Sequence, residues 1–219
     1  MMKLNYRFPL LFCICGLLFS ASAPARANSG LPAVETVLQK GFPARQHDLE
    51  KLTAALFDEY SRQKNVASLV FYAYGALQLA YHYDRVNDIV KAAEYAKLGF
   101  FYLDEAVDLH ESDTRVRYLR ARLDAWLPAK LGRCAIVLHD TAELLAANKA
   151  ALNELTPGIS YMRYRALYHC GEQQQAAALL AQITARYPDL PWLALENNVA
   201  PQWEAREVAQ IILPLVNGG

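Results

Sequence analysis

What these 219 residues lack narrows the field before anything they contain. There is no surplus of positive charge: 22 Lys and Arg balance 22 Asp and Glu, and without a basic stretch the chain is a poor partner for nucleic acid. There is no Cys-x-x-Cys, so thiol redox chemistry has no motif. The five histidines, His47, His82, His110, His139 and His169, are spread one per segment. None stands four residues from another, so no ligand spacing exists and no metal is expected. Phosphate-cradling glycine loops and a Gly-x-Ser-x-Gly elbow are missing too, and no cofactor is expected. No stretch reads convincingly as a strand.

What is present begins with an export signal. Lys3 and Arg7 make a positive start, Leu10 to Phe19 is an apolar run too short to span as a mature helix, and Ala25-Arg26-Ala27 offers a small-x-small cleavage site. Residues 1–27 are therefore expected to be removed after Ala27, placing the mature chain in the periplasm. Cys13 and Cys15 follow Phe12 and Ile14 rather than a small residue, which argues against a lipid anchor. Loss of the leader takes away Lys3, Arg7 and Arg26, leaving 19 basic against 22 acidic residues. The rest, 28–219, suits a single domain with a full core.

From there the apolar residues recur at helical spacing. Pro32 to Lys40 reads as a short helix with Gly41 beyond its end, and Leu49, Leu52, Leu56 and Tyr60 mark one face of the next. Val66 to Tyr83 then runs for eighteen positions without a charged residue. Apolar on every side, it reads as the buried centre of the domain; Ser68, Gln78, His82 and its aromatic rings are costly in hydrocarbon, so no stable membrane span is expected after cleavage. Asn87 is a candidate cap for a helix to Leu109, and Ser112 or Asp113 for one that stops at Pro128. A long helix from Leu131 to about Glu154, a turn at Thr156-Pro157-Gly158, and a last helix opened by Pro201 and closing the open end of the stack complete about five helix pairs.

The most informative stretch is Tyr161 to Pro188. Tyr161, Tyr164 and Tyr168 share one face of a first helix, Gly171 permits a tight turn, and Ala176, Leu179, Leu180 and Ile183 line a second. This resembles a tetratricopeptide (TPR) repeat, in which a small residue stands five positions after the turn glycine and a proline seventeen after it, as Ala176 and Pro188 do. Arg165, where a small residue belongs, and Ile183, where alanine is usual, depart from the pattern. The resemblance covers about 30 residues, the clearest repeat being 157–190. It implies an all-α fold of stacked antiparallel hairpins in an α-α superhelix and brings no catalytic residues with it.

Cys134 and Cys170 are the cysteines left after the leader, and export puts them where bridges form. Antiparallel neighbouring helices would bring their ends together, so a disulfide is reasonable, with two separate buried thiols as the alternative. Arg115, Arg117, Arg120 and Arg122 crowd one helix; Arg115 and Arg117 are placed to meet Asp108 near the turn, while Arg120 is the candidate fork for a carboxylate. A solvated face is the plainer reading. Glu111-Ser112 faintly resembles the glutamate-serine pair of lytic transglycosylases, without the surrounding motif. These features together lead us to expect a non-catalytic module that holds a protein or peptide partner in a groove of Arg117, Arg120, Tyr161, Tyr164 and Tyr168. The alternatives are a small-ligand or transporter accessory protein and, further off, a cell-wall glycan enzyme. N-terminal sequencing of the exported chain should read Asn28-Ser29-Gly30; a chain that still begins at Met1 would remove the export reading.

Overall fold

A computed structural model describes residues 30–147, 150–195 and 200–218, apart from the side chains of Ala150 and Ala151. The expected leader and its cleavage site lie outside the described residues. The helices are α1 (Pro32–Lys40), α2 (Gln46–Gln63), α3 (Val66–Arg85), α4 (Ile89–Leu109), α5 (Thr114–Asp124), α6 (Cys134–Ala146), α7 (Ala150–Asn153), α8 (Thr156–His169), α9 (Gln173–Arg186), α10 (Ala205–Glu207) and α11 (Leu213–Val216). Short 3-10 turns cover Ala129–Leu131 and Pro191–Ala194, and a π turn, Val208–Ile212, joins α10 to α11. Among the described residues there is no strand.

The charge-free run becomes α3 and is buried almost all round, from Val66 through Phe71 and Leu79 to Tyr83. A helix without a polar face can be stable in water only if neighbours cover each side. Here α2 and α4 flank it, and α1, α5 and α11 reach it as well. The approach of α4 is close because position 99 is glycine: a Cβ there would stand 2.7 Å from Leu77 Cγ and 2.9 Å from the Ala73 carbonyl oxygen. Phe57, Tyr72 and Tyr102 pack ring to ring at 4.8–5.6 Å, so much of the aromatic content is core.

Polar groups fix the ends of these helices. The buried Glu59 carboxylate accepts hydrogen bonds from the Ala33 and Val34 backbone N–H groups at the start of α1 and from Ser68 Oγ on α3. Three helices are thereby tied to one side chain. Asn65 caps α3 through Oδ1, which accepts from Ala67 N, while its Nδ2 donates to the Leu215 and Val216 carbonyls of the last turn.

The helices pair as α1–α2, α3–α4, α5–α6 and α8–α9; the second member of each pair packs on the first member of the next. The first members α1, α3, α5 and α8 also touch in succession, forming one continuous face. Among the described residues there are four such pairs, not the five expected. Of the long helix expected from Leu131 to Glu154, α6 covers Cys134–Ala146, with Ala147 as its cap, and α7 covers Ala150–Asn153. Thr156-Pro157-Gly158, expected as a turn, is the first turn of α8, where proline has no N–H bond to lose. Gly158 is needed there because a Cβ would lie 2.9 Å from the Trp192 indole. Asp88, not Asn87, caps α4, and Asp113 caps α5. Pro201 stands ahead of α10, outside any helix, and the C-terminal segment does not close the end of the stack. It folds back across the face of first helices, touching α3 and α5.

Cys134, at the start of α6, is bridged to Cys170, at the end of α8. The bond pins one pair to the next across 36 residues of chain, a loop for which chain-entropy arguments give a stabilisation of about 3 to 4 kcal/mol. A Cys134→Ser, Cys170→Ser variant should lose about that much in urea unfolding while keeping its helical circular dichroism. Unchanged stability would show that the bridge does not form.

Candidate binding site: an arginine ringed by tryptophans

The two arginines expected in a groove are committed elsewhere. Arg120 donates through Nε and Nη2 to Asp140, both at 2.8 Å, and through Nη1 to Asp104 at 3.2 Å. Arg117 Nη1 reaches the same Asp140 at 3.0 Å, and Arg115 turns back to its own cap, Asp113, rather than to Asp108. Arg133 completes the set with two bonds to Asp104 and one to Asp124. This is an alternating network of guanidinium and carboxylate between α4, α5 and α6. Its members are largely buried, with Asp140 and Asp124 fully so. Such a cluster holds helices in register, because removing any one member strands a buried charge.

One carboxyl in the network is not fully satisfied. Asp124 Oδ1 has no hydrogen-bond partner among the described residues, and burial pushes the group up to about 7 although Arg133 pulls it down. Asp104, by contrast, is held below the usual range: burial opposes this, but Arg133 and Arg120 prevail.

The first-helix face carries a different cation. Arg122 is 3 % exposed, its Nε donates to Glu207 Oε1 at 2.8 Å, and its Nη2 donates to the carbonyls of Pro201 and Gln202 at 2.8 and 3.4 Å. The chain has three tryptophans, Trp126, Trp192 and Trp203. All three rings lie 4.7–4.9 Å from this guanidinium. A desolvated cation over an indole gains about 2 kcal/mol, so the rings stabilise the charge at a nearly buried position on the edge of the face. Tyr118 also donates to Glu207, at 2.7 Å, and burial and that carboxylate together raise its hydroxyl well above the usual range.

Of the three tyrosines expected to act together, Tyr161 is buried with its ring 6.4 Å from Trp126 and 6.1 Å from Trp192. Tyr164 is half-buried beside it, at 5.3 Å, while Tyr168 is exposed and stands apart from this cluster. Arg165 is buried over the Trp126 ring, with Nε donating to the Ala125 carbonyl. It ties α8 to the end of α5, the work that a small residue would do by close packing. Burial lowers its tendency to hold a proton.

Beside this cluster lies a cleft of about 460 Å³. Tyr74, Gln78 and Tyr81 of α3 form one wall, and Arg122, Trp126 and Pro128 another. Its volume falls in the range of ligand sites, and its lining is mostly apolar with a few polar groups. Sequence reasoning missed Arg122, Trp126, Tyr74 and Tyr81 as a set. The period of α3 held part of the signal, since 74, 78 and 81 fall on one helical face. Glu111 and Ser112 are exposed on the α4–α5 turn. Among the described residues no group of His, Cys, Asp or Glu is arranged to hold a metal, and no helix is long and apolar enough to cross a membrane.

Because the folded Asp124 carboxyl holds its proton more tightly than an unfolded aspartate near 4, its contribution to stability is whole below about 4 and is lost as pH rises through about 7. Asp124→Asn mimics the protonated form at every pH. Urea unfolding should therefore show the variant gaining on the parent chain between pH 4 and 8; a constant difference would mean that Asp124 is ionised throughout. Comparison with protein-family models, with curated proteins and with solved structures returns no match, so this site is read from its own geometry.

Proposed function

We propose that this chain is an exported, non-catalytic binding protein of TPR-like stacked hairpins, which holds a segment of a protein partner on the face made by α3, α5 and α8. The observation that carries the reading is that this face already holds a peptide, namely residues 200–218 of the same chain. Arg122 donates to two backbone carbonyls at one end of that segment and Asn65 to two at the other. Between them Glu207, Ile211 and Ile212 are buried. A surface built to bind main-chain carbonyls and apolar side chains is one on which sequence-tolerant peptide recognition rests.

The TPR-like assignment draws support from the order of packing, in which first helices touch first helices and second helices touch the next first helix. Export draws support from the leader pattern and from the Cys134–Cys170 bridge. A second reading, a small-ligand or transporter accessory protein, is favoured by the cleft, whose volume would take a metabolite.

A photo-crosslinking residue at Gln78, in the cleft, should capture a protein in exporting cells, whereas the same residue at Lys97, exposed on α4, should not. Equal capture at both positions, or none at Gln78, would remove the partner-holding reading. Stabilisation by a metabolite without any crosslink would favour the second.

A further inference from the structure

We propose that the cleft beside Arg122 takes an extended, proline-rich segment of a partner chain in the polyproline II conformation; this rests on the partner-holding reading and names the chemistry that the site selects. The chain's own residues supply the pattern at the rim. Residues 200–204 run ahead of α10 outside any helix, and Glu204 has φ −79° and ψ 150°, the dihedral angles of polyproline II. That backbone makes no internal hydrogen bonds, so its carbonyls are free for an outside donor. Arg122 is such a donor for Pro201 and Gln202.

The same guanidinium has capacity left. Nε is used by Glu207 and Nη2 by the two carbonyls, while Nη1 has no acceptor among the described residues, and Arg122 lines the cleft. Glu207 already neutralises the charge. A second carboxylate would bring an uncompensated negative charge into a site of low dielectric, whereas a neutral carbonyl satisfies the remaining N–H groups without that cost. The acceptor expected here is therefore main chain, not an acid.

The walls select the side chains. Tyr74 and Tyr81 are seven residues apart on α3, about 10 Å along the helix, and one turn of polyproline II advances about 9 Å. The two rings thus meet residues one turn apart on an extended ligand. Gln78 lies between them, and its amide has no partner among the described residues. Trp126 faces them from the other wall, and among the described residues Arg122 is the only charged side chain that lines the cleft. Proline fits such walls because its ring packs flat on an aromatic face and its fixed φ leaves little entropy to lose on binding.

The test is fluorescence anisotropy with fluorescein-labelled hexaproline and the full mature chain. Saturable binding is expected, displaced by unlabelled hexaproline but not by hexaglycine. It should weaken about tenfold in Tyr81→Ala and in Gln78→Ala and stay unchanged in Lys97→Ala. Tyr81 is 62 % exposed, so its loss leaves the fold intact. Hexaproline that binds no better than hexaglycine, or equally well to the cleft variants, would overturn the proposal. A crosslinked partner at Gln78 without hexaproline binding would remove the polyproline claim and leave the partner-holding reading. Cleft-dependent hexaproline binding without a crosslinked partner would do the opposite.

Discussion

A helix with no charged residue over its first eighteen positions must be covered over most of its surface, and much of this fold follows from that demand; the strip of Tyr74, Gln78 and Tyr81 is what stays open. Each fully buried large aliphatic or aromatic side chain on α3 contributes about 1.5 to 3 kcal/mol relative to exposure. The sum is large enough to recruit both ends of the chain. From the N-terminal side come α1 and α2, held to α3 through Glu59; from the C-terminal side comes α11, whose last carbonyls are bound by the residue that caps α3. The first-helix face is thus occupied by the chain's own end because α3 is too apolar to be left open there.

Charge is handled in two separate ways on α5, a helix whose arginines face opposite layers. Arg117 and Arg120 point between the layers and enter the network with Asp104 and Asp140. Arg122, two residues on, points to the other face and meets Glu207 from 85 residues away. Buried pairs of this kind add little net stability over apolar replacements, but they penalise a wrong register heavily. In a stack whose helices make similar contacts along their length, that penalty is what distinguishes one packing from a slipped alternative.

These two devices explain which parts of the molecule were legible beforehand. The burial of Val66 to Tyr83, the hairpin at Tyr161 to Pro188 and the nearness of Cys134 to Cys170 all follow from local period and helix order, which the sequence states directly. The end of α6 at Ala146 does not, since residues such as Leu144, Leu145 and Leu152 continue a helical pattern beyond it. Gly158 read as a turn because its reason, the Trp192 ring against its Cα, comes from 34 residues further on. The site was hidden for the same reason. Nothing near Arg122 in sequence says that Trp192, Trp203 and Glu207 will gather around it, although three tryptophans in a chain of this length are few enough to suggest a shared place.

The seating of the C-terminal segment also decides how a partner would use this face. Ile211, Ile212, Leu215 and Val216 are almost wholly buried beneath it. Exchanging the segment for another peptide would expose four apolar side chains, at about 1.5 to 3 kcal/mol each, before any new contact formed. A short peptide cannot recover that from a cleft of this size. Addition beside the segment avoids the cost altogether, because Arg122 can serve the carbonyls of Pro201 and Gln202 through one nitrogen and those of a newcomer through another. A newcomer held there would pack beside Trp126, the ring that already covers the guanidinium, and whatever it did to the seating of the segment the segment would do to its binding by the same factor.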